Sequence, residues 1–207
     1  MTETLTPNPG PDAILRTLRN ATADEIREGT VWYQTANTFC QGVADRYGIH
    51  PEQAAYALAA LSPQQSWGAN QRSLVLLLET NSTYGLGANI AKARRILAGE
   101  SPSTVLAPPN PARVTGSKVR AFAACIIAGG RTSTVCVDRH AADVALGRRL
   151  DASPLPAGFI TGARYETIAA AYRLAAQRSG GQFTACEVQA ITWIVRRTLK
   201  HGEGRFN

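Results

Sequence analysis

No stretch of this chain is apolar for anything near the roughly 18 to 20 residues that a membrane span requires. The opening segment, Met1 to Pro11, is polar and proline-containing, with no apolar signal core. A cytoplasmic protein that makes no use of a membrane is therefore expected. Cysteine is scarce, and Cys40, Cys125, Cys136 and Cys186 stand far apart with no C-x-x-C pair. That spacing argues against a zinc site or a disulfide framework and leaves them as small buried hydrophobes in a reducing compartment. No histidine or cysteine spacing suits a metal, so neither a metal nor another cofactor is expected. Strand signals are nearly missing, no repeat of fixed period occurs, and 18% charged against 44% apolar residues excludes a disordered body.

What is present is a basic chain of 207 residues with a net charge of +7, long enough for one compact domain or two small lobes sharing a core. The charge is uneven. Residues 1 to 60 hold four basic and seven acidic groups, net −3, while the remainder holds eighteen basic and eight acidic, net +10. A basic segment of that size fits a polyanion, most simply nucleic acid, because phosphate contacts release condensed counterions and steer association. The plainer meaning of such a charge is solubility alone.

Helix signals recur throughout. Thr22-Ala-Asp-Glu25 has capping-box spacing, and behind it Trp32, Ala36, Phe39, Cys40 and Val43 share one helical face up to Gly48. Pro51 opens a second helix that runs to a break at Ser62-Pro63. Asn70 to Glu79, with Leu74-Val-Leu-Leu-Leu78, reads as a central helix, and Ala88 to Ala98 as another, with a short turn of helix from Ser101 to Leu106. Pro108-Pro-Asn-Pro111 can only be a rigid loop. It divides the chain into expected lobes at 12–107 and 112–200. Further helices are expected at Ser117 to Ala128, Asp138 to Leu150, Arg164 to Arg178 and Thr184 to Lys200, the last capped by Thr184 and Glu187. About nine helices without a sheet imply an all-α, two-lobed helical bundle with a cleft between the lobes.

Chemistry-bearing residues are densest in Val114-Thr-Gly-Ser-Lys-Val-Arg-Ala-Phe122 and Val135-Cys-Val-Asp-Arg-His-Ala-Ala-Asp-Val-Ala-Leu-Gly147. A Gly-Ser-Lys turn at a helix start points unpaired backbone N–H groups at an anion. The apolar triplet Val135-Cys136-Val137 then delivers Asp138 to another helix start, beside Arg139 and His140.

The order of helix, Gly-x-Lys turn, helix, short apolar run and V-D-x-H resembles the second half of the helix-hairpin-helix DNA glycosylase superfamily. The resemblance implies a hairpin that grips the DNA backbone; Gly116 and Ser117 in that turn, with the nearby Arg120, Arg139 and His140, are the candidate DNA-binding residues. It also implies Lys118 as a Schiff-base nucleophile and Asp138 as the carboxylate that assists cleavage of the base–sugar bond. Ala59-Ala-Leu-Ser-Pro-Gln-Gln-Ser-Trp67 is similar to that family's polar loop near the extruded base. Similarity extends over about Ala55 to Leu150, with Val114 where the family hairpin carries a further glycine and no iron–sulfur cysteine cluster. The whole chain, including Trp32-Tyr33 and Gln189-Ala-Ile-Thr-Trp193, also resembles uncharacterised proteins of actinobacterial phages, which would place it in the host cytoplasm. Phage enzymes of the same fold are linked to thymine hypermodification, so transfer of an amino acid or amine to an activated 5-hydroxymethyluracil stands beside base excision. A non-catalytic DNA-binding module is the third reading.

Each candidate also has a structural meaning. Asp138 can be an ordinary helix N-cap, Lys118 a point charge for phosphate, and His140 a structural hydrogen-bonder. Gln64, Gln65, Trp67 and Asn70 form a polar-aromatic loop suited to filling a base-stack gap, or a turn with Trp67 in the core. Trp32 and Tyr33 would stack on an extruded base, or belong to the core. Arg196, Arg197, Lys200 and Arg205 read as a solvated helix face or as flanking phosphate contacts. DNA is the expected partner, and the protein is expected to be a monomer.

Overall fold

In a computed structural model, residues 8–107, 117–147 and 162–198 are described, and they form ten helices with no strand among them. The protein is all-α. By packing, the chain divides into a terminal unit, Met1–Trp32 with Arg131–Asn207, and a middle unit, Tyr33–Gly130. The Pro-rich segment 108–111 lies outside the described residues.

The terminal unit contains α1 (Pro11–Arg19), the start of α2 (Ala23–Tyr47), α8 (Arg139–Leu146), α9 (Gly162–Arg178) and α10 (Ala185–Thr198). Helix α1 is an addition to the expected set: Pro11 stands at its first turn, where a missing N–H costs nothing, and it buries Ile14, Thr17 and Leu18. It packs on α8, α9 and α10, and α10 in turn packs on α8 and α9. Both expected capping boxes form. Thr22 N–H donates to Glu25 Oε2 at 2.8 Å and Glu25 N–H to Thr22 Oγ1 at 3.2 Å; the reciprocal pair at Thr184 and Glu187 measures 2.7 and 3.1 Å. Helix α8 ends at Leu146, short of the expected Leu150, because Gly147 takes the left-handed conformation (φ +63°) that closes a helix. Where α2 crosses α10, a Cβ at Gly29 would lie 2.4 Å from Ile191 Cα, so only glycine permits the approach.

The middle unit holds the rest of α2 with α3 (Pro51–Leu61), α4 (Trp67–Thr80), α5 (Gly87–Leu97), α6 (Pro102–Val105) and α7 (Ser117–Ile127). Its centre is α3, not the leucine-rich α4. Ala54, Ala55, Ala57, Leu58, Ala59, Ala60 and Leu61 are all buried, and α3 packs against α4, α5 and α7. Alanine's small side chain lets neighbouring helices close in on several sides at once. In α4 the run Leu74-Val-Leu-Leu-Leu78 circles the helix, so only Leu74 and Leu77 reach the core and the others are half-buried. Helix α4 also begins three residues before the expected Asn70, because Ser66 caps it by accepting from Ala69 N–H at 3.4 Å. Trp67 and Asn70 are therefore helical, not part of a loop.

All four cysteines are buried. Burial pushes the Cys40 thiol from 9.0 up to about 12, which keeps it protonated and makes it behave as a small apolar side chain. No helix among the described residues is long and apolar enough to cross a membrane.

Candidate active site at the start of α8

The approach to Asp138 is an extended, buried triplet, Val135-Cys136-Val137. Its backbone pairs with a tyrosine: the Tyr165 hydroxyl from α9 donates to Val135 O at 2.8 Å and accepts from Val137 N–H at 3.2 Å. A buried strand-like segment needs its polar groups met, and this single hydroxyl meets one donor and one acceptor. Asp138 follows as the N-cap of α8, with Oδ1 accepting from Ala141 N–H at 2.8 Å. One oxygen of the half-buried carboxylate is thereby fixed by the backbone.

Beneath the cap, the Tyr172 hydroxyl lies within 3.3 Å of both Ala141 O and Thr192 Oγ1. Its pKa is raised, first by complete burial and then by the fields of Asp138 and Asp143, although the Thr192 bond pulls the other way. Tyr172 is a neutral hydrogen-bonding group held in the field of the Asp138 carboxylate.

His140 stands in the first turn of α8, half-buried, with its ring 6.4 Å from that of Trp193 on α10. Trp193 also meets Trp32 edge to face at 5.8 Å, and Arg197 one turn on lies 4.7 Å over its ring. All three rings are half-buried. The terminal unit thus holds Asp138, Arg139, His140 and Trp32, which the sequence singles out, and Arg197, which it reads as a solvated-face residue or a flanking phosphate contact, together with Trp193, to which it assigns no site role. A further surprise is Arg196, expected on a solvated face. It is 4% exposed, and its Nη2 donates to Asp143 Oδ2 at 2.9 Å, with Asp143 itself 3% exposed. That buried pair joins α10 to α8.

The other candidates fall in the middle unit. Tyr33 is 3% exposed and packs edge to face on Phe122 at 6.2 Å. Lys118 and Arg120 are half-buried in the first turn of α7. Gln64 is exposed and Asn70 is 2% exposed, while Gln65 uses both ends of its amide within the fold. The Trp67 ring lies 6.1 Å from that of Phe39, edge to face. Ser117 opens α7, and its side chain, like Gly116, Lys200 and Arg205, falls outside the described residues.

Residues 1–200 match the model of a family of unknown function, DUF7178. The chain belongs to that family. No curated protein and no solved structure matches it. The start of α8 offers a carboxylate fixed at one oxygen and an imidazole two residues on, and that imidazole meets an indole pair topped by a guanidinium.

Proposed function

We propose that this DUF7178 protein is a DNA-acting enzyme that processes a single unstacked base, with Asp138 as its essential carboxylate. The observation that carries the reading is the joining of His140, two residues past the Asp138 cap, to Trp193, Trp32 and Arg197 in one half-exposed cluster. Indole faces stack on any base, while Arg139, Arg197 and His140 offer positive or hydrogen-bonding groups to its phosphate. The resemblance to helix-hairpin-helix DNA glycosylases in V-D-x-H and the Gly-x-Lys turn supports the same chemistry, as does the +10 net charge of residues 61 to 207.

The leading reaction is base excision. The bond from C1′ to the base nitrogen breaks, the electron pair leaves with the base, and the base takes a proton as water adds its oxygen to C1′. Positive charge grows on the sugar along this path, and a carboxylate held beside it stabilises that charge. Asp138 suits the role because its cap bond occupies one oxygen and leaves the other to face developing charge. Lys118 is either a phosphate contact or the amine of a lyase step. Borohydride trapping of a covalent complex on lesion-containing DNA assigns it to the second.

Product analysis tests the proposal. The protein is incubated with DNA carrying 5-hydroxymethyluracil, its phosphorylated form or a panel of damaged bases, and bases and nucleosides are identified by mass spectrometry. Release of a free base supports excision. An enlarged nucleoside in the presence of an amino acid or amine moves the reaction to transfer at the same carboxylate. DNA that is bound but unaltered on every substrate reduces the protein to a binding module.

A further inference from the structure

Of the seven residues that α9 buries, five are alanine or isoleucine, and only Tyr165 and Tyr172 carry a polar group. They stand seven residues apart, close to two helical turns, and so share one face. Phenylalanine would fill the same volume without a hydroxyl that has to find partners out of water. Both hydroxyls meet one stretch of backbone, residues 135 to 141, with Asp138 at its centre. Tyr165 holds Val135 O and Val137 N–H before it, and Tyr172 donates to Ala141 O after it.

The Tyr172 contacts satisfy nothing that would otherwise go without. Ala141 O lies within α8, where the helical ladder supplies the N–H of Ala145. Thr192 Oγ1 lies 2.9 Å from Val188 O and 3.1 Å from Gln189 O, so its proton is taken up within α10. At 3.3 Å from both Ala141 O and Thr192 Oγ1, longer than the about 2.7–2.8 Å of a relaxed hydroxyl bond, the Tyr172 oxygen stands between α8 and α10 and is drawn to neither. It is a spacer. It ties Ala141, whose N–H holds the carboxylate, to Thr192, the neighbour of Trp193. Burial above all, reinforced by the fields of Asp138 and Asp143 against the Thr192 bond, raises the Tyr172 pKa, so the hydroxyl stays protonated and serves neither as acid nor as base.

We infer that Tyr165 and Tyr172 are positioning residues that hold the backbone on both sides of Asp138 and so aim its carboxylate at the bond to be broken. The inference rests on the reading of Asp138 as the essential carboxylate and adds the groups that place it. The cap bond from Ala141 N–H ties the carboxylate to the first turn of α8, so a shift of that turn is a shift of the carboxylate. Helix α8 has only eight residues, too few to be stable without its neighbours, and it takes its place from the helices around it. A displacement of about 1 Å at a reacting group can lower a rate on the order of a hundredfold, so ties of this kind bear on turnover before they bear on binding.

The test compares Tyr165→Phe and Tyr172→Phe, each alone and in an Asp138→Asn background, on DNA carrying 5-hydroxymethyluracil, its phosphorylated form or the panel of damaged bases. Rates are read below the unfolding transition of each variant. Tyr172→Phe should lower kcat about tenfold with KM and DNA affinity unchanged, and with little change in melting temperature, since its neighbours keep their other partners. Tyr165→Phe should lower kcat likewise and also the melting temperature, because buried backbone loses a partner. In the Asp138→Asn background neither change should cost any further rate, the mark of groups that act through Asp138. Losses of equal size in both backgrounds would show a purely structural role and overturn the inference, as would a raised KM at unchanged kcat. Unchanged kinetics in both phenylalanine variants overturns it and leaves the Asp138 reading standing. A wild type that alters no base on any of these substrates overturns both.

Discussion

Asp138 caps α8 whether or not it is also the proposed carboxylate, so a mutation there must separate capping from catalysis. Asparagine caps as well as aspartate, whereas alanine removes about 1 kcal/mol of helix stability, so only the asparagine variant isolates the charge. The same separation of causes applies to the glycines of α2. A Cβ at Gly29 would meet Ile191 backbone at 2.4 Å, while one at Gly42, in the same helix, meets nothing within 4 Å. Gly29→Ala should therefore destabilise the protein by about 3 kcal/mol through overpacking. Gly42→Ala should stabilise it by roughly 0.5–1 kcal/mol through a smaller loss of chain entropy. Thermal unfolding of the two variants checks both signs, and equal shifts would show that α2 does not approach α10 as described.

At the scale of elements, the buried Asp143–Arg196 pair is the joint between α8, which carries the carboxylate, and α10, which carries Trp193. Breaking it on one side leaves a charge without compensation in the interior. Asp143→Ala should cost about 3–5 kcal/mol, whereas Asp143→Leu combined with Arg196→Met should recover most of that loss. Denaturant unfolding of the single and double variants gives the comparison; a double variant as unstable as the single would mean that the charges do more than satisfy each other. Elements such as this show what a sequence can reveal. The caps at Thr22, Thr184 and Asp138 are legible because donor and acceptor stand three residues apart. Arg196 is not, because the partner that buries it lies on another helix, and the contact of Trp32 with Trp193 joins α2 to α10 across most of the chain. Helix α1 is hidden for a different reason: Pro11 reads equally as the end of a polar leader and as the first residue of a helix. The α4 leucines look central because a run of apolar residues carries no phase, and only packing decides which two face inward.

For the molecule as a whole, the terminal unit is assembled from both ends of the chain, and the division at Trp32–Tyr33 falls within the unbroken helix α2. Nothing in the local sequence marks it, since neither glycine nor proline punctuates the helix there. The excess of basic residues beyond position 60 is legible at once, and it makes a prediction about the entire protein. Affinity for duplex or single-stranded DNA should fall with added salt along a log–log slope steeper than about −3, the signature of several phosphate contacts. A flat dependence, measured by fluorescence anisotropy across a salt titration, would assign the charge to solubility. The central claim is tested most directly by Asp138→Asn on whichever modified or damaged DNA the wild type turns over. Product formation should drop at least a hundredfold while the melting temperature and DNA affinity stay near those of the wild type. Turnover at the wild-type rate would contradict the account and leave Asp138 as a helix cap alone.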